Sequence, residues 1–505
     1  MGFKRWDLSL SVRQDKIFIE YKFMETLPQK LCYLTFGARI PLLLQYIVPG
    51  IILFNPIRKL LKLHWVRIIL IALPFLFFFS KILRNDPFFF SDDFAHLNLS
   101  ANFSYIEIYK MAMSSQGIWV GHRIIFGFWL FKLLFNFFST NPIPYYWLMF
   151  FINLGNGILL YILASKILLN KKVAALIAFI FGFFYVTWLS NIHEVLGLMF
   201  TLLTFICFFS WQEKFKIKTF LFSIIFYIFA VFTKEITFLA VPVMFLMAIV
   251  SKKNLKKNIK YLLVFLFIFV LYSLFYAKGF ISYFNVPQNT GYNMSLSIPN
   301  IVQNINVYLG QVFPTISNKL TIYFLLAVFI IFDLCHKKLK SLPFLVSYII
   351  FLSPALLFTG RTATYYNYIP IVFLLLGFGV VIEGLIKSIN FIRNKNLKKI
   401  ISVSFVILFI FGLMGINLKM MDTCFLIQYP WNNYFKDSYI KLINNINNTS
   451  DKKIPIQGLE IKLDPTLDYP SEAMEDISIK TFLNNPGLKR YTYTYSAENK
   501  SVIIK

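Results

Sequence analysis

The chain's densest chemistry lies in "FFFSDDFAHLNLS", Phe88 to Ser100. Asp92 and Asp93 are adjacent carboxylates that follow a run of three Phe. Burial and a like-charged neighbour both raise a carboxylate's pKa, which makes one acid of such a pair a better base. Its task would be to take a proton from a hydroxyl. Two other readings use the same residues. "SDD" before "FAHLNL" is also a helix start with capping side chains, and two adjacent acids could share a divalent metal. Capping and base chemistry are compatible, because a cap holds a side chain still. His96, one turn on, could orient an acid, touch substrate or be a plain surface histidine.

Further candidates are spread along the chain. His122-Arg123 opens an apolar run, where Arg123 could hold a phosphate or reach for lipid headgroups. His193-Glu194 sits at a turn between two apolar runs, as an ordinary capping turn or as part of a site. Lys234-Glu235 and Arg361 are isolated between apolar segments. A bidentate Arg and a point-charge Lys suit an anionic lipid phosphate. The competing reading pairs each cation with a nearby acid or headgroup, and Glu235 is the local partner for Lys234.

The elements that must position these residues are membrane helices. The 505 residues are 58% hydrophobic, 19% aromatic and 14% charged, with sixty Phe. Soluble domains run near 45–50% apolar and about 25% charged. Apolar runs fall at 65–83, 144–168, 173–189, 194–211, 219–233, 236–250, 260–277, 319–335, 342–359, 364–386 and 398–416, which predicts eleven spans. The net charge of +27 does not indicate nucleic acid, because Lys and Arg sit in short clusters between these runs. Four cysteines, Cys32, Cys207, Cys335 and Cys424, show no metal-like spacing and predict neither a disulfide framework nor zinc. Residues 1–39 are mixed and polar, without the pattern of a cleavable signal peptide.

Charge orients the spans. Arg58, Lys59, Lys62 and Arg67 place the start of the first run in the cytoplasm and residue 84 outside. The loops then assigned to the cytoplasm hold nineteen Lys and Arg, and the outer loops between the spans from 144 onward hold three: Lys234, Lys278 and Arg361. This works only if 123–138 does not cross, so that run is expected as a helix on the outer membrane surface. The run 40–54 is expected to be interfacial or re-entrant. Asp92, Asp93, His96, Glu107, His122, Arg123, His193, Glu194, Lys234, Glu235 and Arg361 all fall on the one outer face. Ionisable residues at such positions are functional candidates.

The expected domains are a cytoplasmic or interfacial segment at 1–64, a transmembrane domain at 65–416 with a catalytic outer loop at 84–143, and a small extracytoplasmic α/β domain at 417–505. The last contains "RYTYTYSAENKSVIIK", two alternating runs about a turn-like "SAEN". The fold class is an all-α polytopic membrane protein with this appended domain.

The acidic pair in the first outer loop is followed by "LLYILASKILLNKKVAALIAFIFGFFY", "FTKEITFLAVPV" and an Arg before "YYNYIPIVFLLLG". That order resembles the GT-C superfamily of integral-membrane glycosyltransferases, in the branch with protein O-mannosyltransferases and the aminoarabinose transferases of lipid A. The resemblance covers about 84–385. It implies a polyprenyl-phosphate-sugar donor and a glycan, glycolipid or protein acceptor at the outer face of the bilayer, in the bacterial inner membrane. It implies Asp92 or Asp93 as general base, a surface helix in the first outer loop, and an inverting displacement that requires no cofactor. Lys234 matches the Lys of the family's "TKG"-like turn, with Glu235 in place of Gly. Two other functions fit the composition. A transporter or flippase for a lipid-linked saccharide would place its polar groups near the bilayer midplane. An O-antigen polymerase-like enzyme would share the outer site and use a large outer loop such as 277–318.

Overall fold

The computed structural model describes residues 64–84, 87–89, 92–113, 125–251, 255–282, 293–312, 318–336 and 339–389, and three short strands at 460–462, 493–496 and 501–504. The runs 40–54 and 398–416, residues His122 and Arg123, and most of the C-terminal segment lie outside the described residues.

The described chain is mostly helical. It runs through α1 (His64–Arg84), α2 (Asp93–Asn102), α3 (Tyr105–Met113), α4 (Ile125–Phe138), α5 (Ile143–Ile167), α6 (Lys171–Phe181), α7 (Ile192–Lys214) and α8 (Ile217–Val231). It continues through α9 (Ala240–Ser251), α10 (Leu255–Ser282), α11 (Ile298–Val312), α12 (Asn318–Cys335), α13 (Leu342–Leu356) and α14 (Pro370–Ile389). Four segments are long and apolar enough to cross a membrane: His64–Arg84, Ile143–Ile167, Leu189–Lys214 and Pro370–Ser388. The other described runs hold shorter apolar stretches, such as Asn258–Leu274 within the 28-residue α10. The expectation of eleven full-length spans is therefore met in position by most runs and in length by four among the described residues.

The shortfalls have physical causes. The run expected as a span at 173–189 is helical only to Phe181, then becomes a 3-10 turn (Gly182–Phe184) and extended backbone. A Cβ on Gly182 would lie 2.4 Å from the Pro74 ring of α1, so this close crossing needs glycine. The run at 236–250 likewise opens as a 3-10 turn (Glu235–Leu239) before α9. These irregular stretches are tolerated at membrane edges where protein surrounds them.

Aromatic rings fill the centre. Phe78 of α1 stacks on Tyr185 at 6.1 Å between centroids and meets Phe183 edge-on at 6.0 Å. Phe79 stacks on Phe150 of α5 at 4.5 Å. Leu76, Leu221, Phe267, Ile331 and Val346 point outward, as lipid-facing side chains should.

The unit α2–α4 has its own small core of Leu99, Ile108 and Phe128. With 14 residues, α4 is about 21 Å long, too short for a hydrocarbon core of about 30 Å. Its first amides, of Ile125 and Phe126, donate to the Phe232 carbonyl at 3.0 and 3.3 Å, which ties α4 to the exit of α8. Lys132 reaches back to the Ser100 carbonyl near the end of α2 (2.9 Å), a C-terminal cap suited to a cation. Glu107 and Ser104 cap α3 reciprocally, so this acid has a structural task.

In the C-terminal segment, β2 (Tyr493–Ser496) and β3 (Ser501–Ile504) pair antiparallel, with Ser496 opposite Ser501, as the alternating runs around "SAEN" predict. Strand β1 (Glu460–Lys462) adds to the other edge of β3.

Candidate active site

The acid pair starts α2, but its side chains do not cap it. Asp92 occupies the N-cap position with helical φ and ψ (−61° and −13°) and makes no side-chain cap hydrogen bond. A capping side chain normally sits on extended backbone. Asp93 is fully buried, and its Oδ1 accepts hydrogen bonds from the Ser190 backbone N–H (2.6 Å) and the Ser190 hydroxyl. Asp92 is half-buried. The adjacent acids therefore occupy different environments: one is buried and bonded to the 3-10 turn Leu189–Asn191, and the other is half-buried.

Ser190 opens the segment that enters α7. One turn later, Glu194 is fully buried and meets Lys234 Nζ at 2.7 Å. Glu235 meets the same Nζ at 3.0 Å. The Lys234 side chain is 2% exposed. Two carboxylates thus share one ammonium inside the protein. Gly197, one turn beyond Glu194, makes room for this: a Cβ there would lie 2.8 Å from Lys234 Cβ. Lys234 has extended backbone (φ −144°, ψ 126°) at the exit of α8, and its carbonyl accepts from the Thr237 amide and hydroxyl at 3.1 and 2.7 Å. The local partner expected from sequence, Glu235, is present. The distant one, Glu194, completes the pair.

Lys234 Nζ also lies 6.0 Å above the Tyr366 ring. Tyr366 packs against Tyr365 (4.6 Å) and Phe358 (5.7 Å). Tyr365 accepts a hydrogen bond from Arg361 Nη2 at 2.8 Å, and its ring meets Trp188 at 6.0 Å and 71°. Arg361 is half-buried, unlike Lys234. The α13–α14 connection carrying Arg361 is held by α11. Asn304 donates to the Leu356 and Phe358 carbonyls at 2.8 and 2.7 Å, and Gln311 to the Thr362 carbonyl at 3.2 Å.

Two buried asparagines of α5 fasten the remaining pieces. Asn156 donates to the Val195 carbonyl of α7 (2.8 Å), and the Tyr368 hydroxyl donates to Asn153 Oδ1 (2.8 Å). Polar groups this deep specify one arrangement when they are paired.

His96 is not a surface residue. It is 3% exposed, between Phe128 and Phe131 of α4 at 4.8 and 4.9 Å, with its ring parallel to that of His193 at 6.4 Å. Burial lowers its pKa from 6.5 to about 3. The folded protein therefore keeps His96 neutral where the unfolded chain protonates it. Its contribution to stability is complete above pH 6.5 and is lost as pH falls from there towards 3. Going from pH 6.5 to 5 should cost roughly 1–2 kcal/mol. His96→Phe, which fits the aromatic surroundings and cannot titrate, should show a smaller drop in thermal midpoint over that interval than the wild type. Equal drops would contradict this assignment.

Asp93 is bonded to Ser190; Trp188, two residues before Ser190, meets Tyr365, which bonds Arg361 and packs on Tyr366, with Lys234 above the Tyr366 ring. Residues 122–276 match the dolichyl-phosphate-mannose-protein mannosyltransferase family. No curated protein and no solved structure matches the chain. The mannosyltransferase match runs from three residues before α4 into α10, so it contains Arg123, His193, Glu194, Lys234 and Glu235. Asp92, Asp93 and Arg361 lie outside it and are joined to it by the contacts above. With the apolar helices, the match supports an integral-membrane glycosyltransferase of the GT-C type.

Ser190, Trp188, Tyr365, Asn153, Asn156 and Asn304 were not among the residues picked out from sequence. No local pattern distinguishes them, and in a chain rich in Asn a buried Asn looks like any other.

Proposed function

We propose that the chain transfers a sugar from a polyprenyl-phosphate donor to a hydroxyl of a cell-surface glycan, lipid or protein, at the outer face of the bacterial inner membrane. The single observation that carries this reading is the division of labour around Ser190. Asp93 is buried and engaged, Asp92 beside it is half-buried, and contacts lead from that turn to Arg361.

Asp93 is fully buried and takes both Ser190 donors, which holds the start of α2 in place. Asp92 keeps part of its surface exposed, where an acceptor hydroxyl can reach it, so Asp92 is assigned as the base. The acceptor hydroxyl gives its proton to the Asp92 carboxylate. Its oxygen bonds to the sugar C1 on the face opposite the phosphate, and the C1–O bond to phosphate breaks. The electron pair leaves with polyprenyl phosphate, and the anomeric configuration inverts. The leaving group departs as an anion, so no acid need protonate it. Nearby cations stabilise the developing charge.

Arg361 suits that task, with a planar fork at a half-buried position. Lys234 has its charge offset by Glu194 and Glu235, so its part is to hold this cluster together behind Tyr366 rather than to meet the phosphate. Arg123 and His193 remain proposed contacts at the same face. No metal is required. A divalent ion at Asp92 and Asp93 would need ligands from substrate, because no three His, Cys, Asp or Glu side chains gather among the described residues. The gathering of polar groups at the ends of α7, α8 and α13 favours transfer over a transporter path near mid-bilayer.

Arg361→Ala should raise the donor KM by roughly ten- to a hundred-fold, the scale of a lost hydrogen bond to a charged group, and leave the acceptor KM near its wild-type value. Steady-state kinetics with each substrate varied in turn checks this. An unchanged donor KM would remove Arg361 from the phosphate site.

A further inference from the structure

Trp188 stands between the two halves of the site. It lies on extended backbone (φ −79°, ψ 122°) two residues before Ser190, which holds Asp93. On its other side it meets Tyr365, whose hydroxyl accepts from Arg361. Both rings are half-buried, whereas Tyr366 behind them is buried and backed by Phe358 and Lys234. The two rings therefore have a buried backing and keep part of their own surface exposed. Partly exposed aromatic rings thus stand next to Arg361, the proposed phosphate-binding cation, and two residues from the turn that holds Asp93. They suit a ligand with apolar C–H faces and polar edges, since the ring face carries partial negative charge.

We propose that Trp188 and Tyr365 form the wall against which the donor's pyranose ring packs, with its C1 towards Asp92 and its phosphate towards Arg361. This rests on the donor reading above and assigns it a sugar subsite. The hydrogen bond from Arg361 to Tyr365 then couples the phosphate contact to the sugar contact, so both are set by one side-chain pair.

The test is binding by the full-length protein in nanodiscs. The probes are a prenyl phosphate without sugar and prenyl phosphates carrying mannose, glucose, galactose or 4-amino-arabinose. In the wild type, at least one sugar should tighten binding over the bare prenyl phosphate by roughly tenfold. Trp188→Ala should lose that gain and keep its affinity for the bare prenyl phosphate, and Trp188→Phe should keep most of the gain. The wall is refuted if Trp188→Ala retains the gain, if it loses affinity equally for bare and sugar-bearing probes, or if no sugar adds affinity in the wild type. Failure of the wild type to bind any prenyl phosphate would instead overturn the donor reading on which the wall rests.

Discussion

Asp92→Asn should lower the rate of sugar transfer by about 10²- to 10⁴-fold, the contribution of a positioned general base. The substitution keeps shape and removes only proton affinity. Asp92 makes no side-chain cap hydrogen bond to α2, so that helix should still form. The thermal midpoint should therefore stay near the wild-type value. Asp93→Asn is the informative companion. Its Oδ1 can still accept from the Ser190 N–H and O–H, so the contact between α2 and the Leu189–Asn191 turn survives in weaker form. A smaller loss of rate, with some loss of stability, is expected. Initial rates and melting curves on both variants decide the matter. If Asp93→Asn is the inactive one and Asp92→Asn retains more than about a tenth of the rate, the two roles must be exchanged.

The second large effect is structural. Lys234→Met should destabilise the fold by roughly 3–5 kcal/mol, because it leaves two buried carboxylates without their shared ammonium. Glu194 is fully buried and the Glu235 side chain is 7% exposed, so water can do little to compensate. The cost comes from uncompensated charge rather than lost packing. The triple variant Lys234→Met, Glu194→Gln, Glu235→Gln should therefore recover most of the loss. Thermal unfolding in detergent measures both. A Lys234→Met protein as stable as the wild type would mean that the three groups do not share a charge in the folded state. So would a triple variant no better than the single.

The fold was legible where hydropathy and length carry it. The runs at 65–83, 144–168 and 194–211 became α1, α5 and α7 with small shifts at their ends. The run at 173–189 did not become a full span, because the crossing of Gly182 over Pro74 depends on a partner helix about a hundred residues earlier in the chain. The brevity of α4 could be read from sequence only through the charge asymmetry of later loops.

The site was legible in part for the same reason. Asp92, Asp93, Glu194, Lys234, Glu235 and Arg361 stood out because charge is scarce in an apolar chain. Their pairing did not. Glu235 adjoins Lys234, but Glu194 is forty residues away and meets Lys234 only after α7 and α8 pack with Gly197 between them. The burial of His96 could not be read from sequence, because it comes from Phe128 and Phe131 on another helix. Neutral residues such as Ser190 and Trp188 carry no signal until the fold places them.

The account stands most directly on donor turnover. The purified protein, reconstituted in vesicles, would be given polyprenyl-phosphate sugars together with an extract of cell-surface glycans, lipids and proteins. Mass spectrometry would then follow the lipid. The account predicts that one polyprenyl-phosphate sugar is converted to polyprenyl phosphate as its sugar appears on an acceptor, and that the Asp92→Asn protein converts it at least about a hundred-fold more slowly. Sugar transfer that leaves every polyprenyl-phosphate sugar intact, or an equal rate from the Asp92→Asn protein, would contradict it.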